Sequence, residues 1–163
     1  TIIHVVDNPR NIIIGDTNIG RSTYLYQIAN TLNDCGYSVC LVDGDGHGIV
    51  YPDLSNEIVH LLNKNDVRLF EMLNEIVDLD IILIDDIGYL SSECISEVSN
   101  SEKIIISICF KDWNSKLDNF FEKSEIFKLT KTTIEHNNSI IDRNGYLLQS
   151  IRETKLKYLL NEK

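Results

Sequence analysis

Long apolar runs are missing from this chain: no stretch approaches the roughly 20 residues a helix needs to cross a bilayer. No membrane association is therefore expected. A charged start followed by an apolar run and a small-residue cleavage site is missing too, so secretion is not indicated. Cysteine is sparse and poorly spaced for chemistry. Cys35, Cys40, Cys94 and Cys109 form neither a C-x-x-C pair nor a zinc knuckle. They read as small buried hydrophobes in a reducing, cytoplasmic setting. His4, His47, His60 and His136 share no metal-ligand spacing. With two prolines and eight glycines there is no Pro/Gly-rich linker, and no repeat or low-complexity tract. The 163 residues read as one domain, 1–163, long enough for a sizeable core. Positive charge is the other shortage. Residues 1–100 hold 4 Lys/Arg against 16 Asp/Glu, while residues 101–163 hold 11 against 9. The net charge of −10 argues against electrostatic coating of duplex nucleic acid, and places the cations for any anionic polymer in the last third.

What the chain has is a series of short β-branched runs bounded by turn residues: Ile2–Val6, Asn11–Ile14, Ser38–Val42, Ile81–Ile84, Ile104–Cys109 and, more weakly, Ile126–Thr130. Helical spacing predicts helices over Thr23–Asn33, Leu54–Asn63, Val67–Val77, Trp113–Lys123 and Tyr146–Leu160. Continuous Val/Ile/Leu strands alternating with helices imply an α/β protein with a mostly parallel central sheet and helices on both faces. Right-handed crossovers then put ligand sites at the carboxyl ends of the strands.

One such end is occupied by Gly15-Asp16-Thr17-Asn18-Ile19-Gly20-Arg21-Ser22-Thr23, between an apolar strand and an amphipathic helix. This is the phosphate-loop pattern G-x-x-x-x-G-K-[ST] with arginine in place of the lysine. Gly15 and Gly20 allow the backbone to turn tightly, so that successive N–H groups face an anion. The start of the helix adds its partial positive charge. Ser22 is placed to ligate Mg²⁺, and residues 15–23 would bind the nucleotide. Arg21 presents a planar fork rather than a compact ammonium, which suits phosphate binding more plainly than phosphoryl transfer. The fold expected is the three-layer P-loop NTPase-like one.

Two further strand ends carry acids. Asp43 and Asp45 follow Val39–Val42 in a glycine-rich stretch, and their spacing would send both carboxylates to one side of an extended chain. Asp85 and Asp86 follow Ile81–Ile84, Asp85 standing where P-loop proteins hold the outer shell of Mg²⁺. Asn63-Lys64-Asn65-Asp66 imitates a guanine-reading motif. It precedes the Asp85 strand and is expected between two helices, so it reads as a solvated turn.

In this order the motifs resemble the P-loop domain of the polynucleotide 5′-hydroxyl kinases, which include RNA kinases of tRNA splicing, mRNA 3′-end processing and rRNA maturation. The resemblance runs from about Asn11 to Leu160. It implies that ATP–Mg²⁺ sits on the phosphate loop with Ser22, Asp43 and Asp85 serving the metal. Asp45 would deprotonate the 5′-hydroxyl of a single-stranded RNA or DNA end. Arg21, together with Arg143 and Arg152 as lid arginines, would stabilise charge on the transferred group. The chain departs from that family at Arg21, at Gly46-His47-Gly48, which supplies no glutamine, and at Asp86, which replaces a threonine. A switch ATPase of the partition and cell-division type shares the phosphate loop and the Val-Asp-x-Asp strand end, but it usually has a lysine where Asp16 stands. A nucleotide-binding scaffold without turnover is the third alternative. Oligomeric state is left undetermined.

Overall fold

The computed structural model describes residues 10–16, 18–46, 53–62, 69–110, 115–144 and 160. Its centre is β1 (Arg10–Gly15), which leads through the phosphate loop into α1 (Arg21–Asp34). There follow β2 (Val39–Asp43), β3 (Val59–Leu62), α2 (Leu69–Glu75), β4 (Ile81–Asp85), a 3₁₀ turn at Ile87–Tyr89, and α3 (Ser92–Asn100). The chain continues through β5 (Ile104–Phe110), a 3₁₀ turn at Ser115–Leu117, α4 (Asp118–Glu122) and β6 (Glu125–Leu129), then the hairpin β7 (Thr133–His136) and β8 (Ser139–Asp142).

The eight strands form one sheet in the order β3-β2-β4-β5-β1-β6-β7-β8. The first six in that order run parallel, and the hairpin adds two antiparallel pairings at one edge. Alternation along each strand divides the core in two. Ile13, Val39, Leu41, Ile81 and Leu83 face α1, where they meet Tyr24, Leu25, Ile28, Ala29 and Leu32. Ile12, Ile14, Cys40, Val42, Ile82 and Ile84 face the opposite layer, with Leu73, Cys94, Ile95, Val98 and Phe120 from the other helices. Two covered faces explain why consecutive residues in the middle of these strands are apolar. All four cysteines are buried, and burial pushes the Cys40 and Cys109 thiols up to about 12.

The expected strands at Asn11–Ile14, Ser38–Val42, Ile81–Ile84, Ile104–Cys109 and Ile126–Thr130 all form, to within a residue or two at their ends. The helix expected over Leu54–Asn63 does not. Residues 53–58 make turns, and Val59–Leu62 is a strand paired with β2. Asn63–Asp66 lies outside the described residues, but it directly follows that strand instead of another helix. β3 is the outermost strand, with β2, β4 and β5 between it and β1. The helix expected over Val67–Val77 is α2, and that over Trp113–Lys123 is a 3₁₀ turn joined to the short α4. The strand at Ile2–Val6, Trp113, and the helix over Tyr146–Leu160 apart from Leu160 lie outside the described residues. No helix among the described residues is long and apolar enough to cross a membrane.

Candidate functional site

Parallel strands bring their carboxyl ends to one edge, where Gly15, Asp43 and Asp85 sit. Gly15 is packed so tightly that a Cβ there would lie 2.5 Å from Ile19 Cδ1 and 3.0 Å from the Leu129 carbonyl oxygen. The loop then turns through two left-handed residues, Asn18 (φ 60°) and Gly20 (φ 75°). Gly20 is the N-cap of α1 and makes no side-chain cap hydrogen bond, unlike a serine or aspartate cap. The tight packing at Gly15 and the two left-handed residues give the sharp turn that the glycine spacing implied. Of its residues, Asp16, Asn18, Ile19, Gly20, Arg21, Ser22 and Thr23 are described, and Thr17 is not.

Asp43 and Asp85 are register partners on β2 and β4, and both are buried. The Ser22 hydroxyl lies near enough to the Asp85 carboxyl to act on its titration. Burial raises the Asp85 pKa from 3.8 to about 6; the Ser22 hydroxyl pulls against this, and the charges of Asp86, Asp43 and Asp45 add to it. Oδ1 of Asp85 is buried with no hydrogen-bond partner among the described residues. A buried carboxyl under this penalty, beside a hydroxyl and surrounded by acids, suits a divalent cation. Among the described residues no three His, Cys, Asp or Glu side chains converge to hold a metal by themselves. Mg²⁺ seldom needs such a cage: one or two protein oxygens, phosphates and waters complete its octahedron.

Asp45 is half-buried, within electrostatic range of Asp85. It does not lie on an extended chain, as the spacing suggested. β2 ends at Asp43 and the backbone turns at once, the N–H of Gly46 donating to the Asp43 carbonyl at 3.3 Å. Gly44 is closed in by the end of β4. Its N–H donates to the Asp85 carbonyl at 2.8 Å, and a Cβ would lie 2.3 Å from that oxygen and 2.5 Å from that of Asp86. Gly44 is required because the ends of β2 and β4 meet there. His47 and Gly48 lie outside the described residues.

Arg21 reaches Asp86, 3.6 Å from Nη2 to Oδ1, with both side chains largely covered. Asp86 itself is left-handed (φ 54°) and caps the 3₁₀ turn that follows β4. The sequence places Asp86 among the acids at the end of β4 and as a departure from a motif, but does not show that Arg21 is its partner. Arg143 follows β8 and returns to the phosphate loop. Its Nη1 donates to the carbonyls of Ile19 (2.6 Å), Thr130 (2.9 Å) and Lys131 (3.4 Å), and its Nη2 to that of Gly20 (3.5 Å). Its guanidinium also lies 5.1 Å from the centre of the Tyr24 ring. Arg152 lies outside the described residues.

A glycine-bounded loop at the end of a central parallel strand, opening a helix and flanked by acids from neighbouring strands, defines a P-loop NTPase-like fold. No family model and no curated protein sequence matches the chain. Among solved structures it is similar to the flagellar accessory protein FlaH from Methanocaldococcus jannaschii. The TM-score is 0.53 at 15% identity, over 85% of this chain and 80% of that one, a likeness of fold alone.

Proposed function

We propose that the chain binds a nucleoside triphosphate, ATP in the first instance, as its Mg²⁺ complex. The placement of Ser22, at the start of α1, beside the buried Asp85 carboxyl at the end of β4 carries this reading. It brings together, across two strands and a helix start, the hydroxyl and carboxyl that a metal between β- and γ-phosphates requires. In this reading the N–H groups of residues 15–22 take the phosphates, Arg21 adds charge beside them, and Ser22 and Asp85, with Asp43 behind, order the cation and its waters. The bound Mg²⁺ supplies charge neutralisation for the phosphates. Calorimetric titration with ATP, with and without Mg²⁺, tests it. Wild type should bind ATP more tightly with Mg²⁺, and Ser22→Ala should lose most of that difference. Equal affinity with and without the cation in wild type would contradict the assignment.

The position of Asp45 supports a finer reading: transfer of the γ-phosphate to the 5′-hydroxyl of single-stranded RNA or DNA, with Asp45 as the base. Its carboxylate lies near Asp85 at the edge where the triphosphate would end. Labelled ATP offered to 5′-hydroxyl oligonucleotides decides between transfer, hydrolysis alone and binding alone. Transfer is expected to vanish in Asp45→Asn and to persist or rise in Arg21→Lys. Transfer by Asp45→Asn at the wild-type rate would remove Asp45 from the mechanism. ATP hydrolysis without transfer, accompanied by ATP-dependent dimerisation, would favour the switch-ATPase alternative instead.

A further inference from the structure

We infer that Arg143 is the positioning residue of the phosphate loop, aiming the loop's N–H groups at the phosphates from the carbonyl side without touching the nucleotide. The inference rests on the nucleotide-binding reading above. In a trans peptide the C=O and the N–H of the next residue point in opposite directions, and no described peptide bond is cis. Whatever fixes the carbonyls of Ile19 and Gly20 therefore fixes the N–H groups of Gly20 and Arg21 on the other side. Arg143 does this at the two residues that join the loop to α1, Nη1 at 2.6 Å from the Ile19 oxygen and Nη2 at 3.5 Å from the Gly20 oxygen. The Gly20 carbonyl also accepts the first bond of α1, from the Tyr24 N–H at 2.9 Å. One guanidinium thus joins the loop, the helix start and the β6–β7 connection, where it holds Thr130 and Lys131.

Arg143 is also held on its own side. Its own N–H donates to the Thr132 carbonyl at 2.9 Å, and its guanidinium lies over Tyr24, which is 1% exposed. Gly20 is fitted to this arrangement: a Cβ there would lie 3.4 Å from Arg143 Nη2, on a residue already left-handed. A cation on the carbonyl side also polarises the peptides so that their N–H ends become more positive. The β7–β8 hairpin, which among the described residues pairs with no other strand beyond β6, thereby acquires a role in the site.

A lid arginine would touch the γ-phosphate, so its loss would weaken ATP and spare ADP. A positioning residue acts on the loop amides that hold the phosphates common to both. The test titrates wild type, Arg143→Ala and Arg143→Lys with Mg²⁺–ATP and Mg²⁺–ADP, well below the thermal midpoint of each variant. Arg10→Ala serves as a control for lost stability far from the loop. Arg143→Ala is expected to weaken ATP and ADP by the same factor, roughly tenfold or more. Arg143→Lys should recover part of the loss, and Arg10→Ala should bind both as wild type does. Loss confined to ATP, unchanged affinity in Arg143→Ala, or an equal loss in Arg10→Ala would each overturn the inference. If wild type itself binds neither nucleotide, the nucleotide-binding reading falls and takes this inference with it.

Discussion

Asp85 is held in a place that penalises its charge, and this has a measurable consequence in the metal-free protein. Its folded pKa of about 6 lies above the ordinary 3.8, so the folded chain holds that proton more tightly than the unfolded one. Stability from this group is present at low pH, falls as pH rises from about 4 to about 6, and stays lost above. Asp85→Asn removes the cost while keeping an acceptor for Ser22. Urea unfolding above pH 6 should show a gain of about 1–3 kcal/mol and a flatter pH profile below it. Stabilisation by Mg²⁺–ATP should disappear in the same variant. An unchanged midpoint and an unchanged pH slope would show that burial of Asp85 costs nothing. At Gly15 the expectation is steric: an alanine methyl would lie 3.0 Å from the Leu129 carbonyl oxygen, so the loop or β6 must shift by a few tenths of an ångström, and the Ile19 side chain must turn away. Gly15→Ala should therefore weaken ATP binding at least tenfold in a direct titration, whereas an unaffected affinity would mean that the loop shape is not what binds.

Among the elements, Arg10 at the start of β1 has the clearest structural duty. Its guanidinium is buried and donates to the carbonyls of Ser99, Ser101 and Lys103, tying the end of α3 to the opening of β5. Arg10→Ala leaves those carbonyls unsatisfied. A loss of about 2–4 kcal/mol in denaturant unfolding is expected, with nucleotide affinity retained. A loss below 0.5 kcal/mol would show that water replaces the guanidinium there. The sequence had no pattern that singled out this contact, because it joins residues some ninety positions apart. The central strands were legible because burial on both faces selects unbroken β-branched runs. Leu54–Asn63 was misread because Leu54, Ile58, Leu61 and Leu62 fall at helical spacing, although only Ile58 of them is fully buried. α3 was missed in a Ser/Glu-rich stretch, yet Ser91 accepts the Cys94 N–H as an N-cap and Glu93 lies in the first turn, both readable signals. The β7–β8 hairpin was missed as well; its turn is Asn137-Asn138, whose φ values of 50° and 65° are those of a tight two-residue turn.

At the scale of the whole molecule, the sheet order decides which predicted residues can meet. The parallel run β2-β4-β5-β1 brings the ends of three sequence-distant strands to one edge, so Ser22, Asp43, Asp45 and Asp85 gather there as the motifs implied. The motifs could not show how these ends pack against each other. That Gly44 fits against the carbonyls of β4, that Arg21 finds Asp86, and that Arg143 crosses from the hairpin to the loop all follow from tertiary packing, which no local spacing encodes. The most direct measurement is a crystal structure of the full chain with Mg²⁺ and a non-hydrolysable ATP analogue. The β-phosphate should sit on the N–H groups between Asn18 and Ser22, the metal on Ser22 Oγ with Asp85 in reach of its waters, and Arg143 still on the carbonyls of Ile19 and Gly20. An analogue bound elsewhere, or a triphosphate whose metal lies away from Ser22 and Asp85, would contradict the account at its centre.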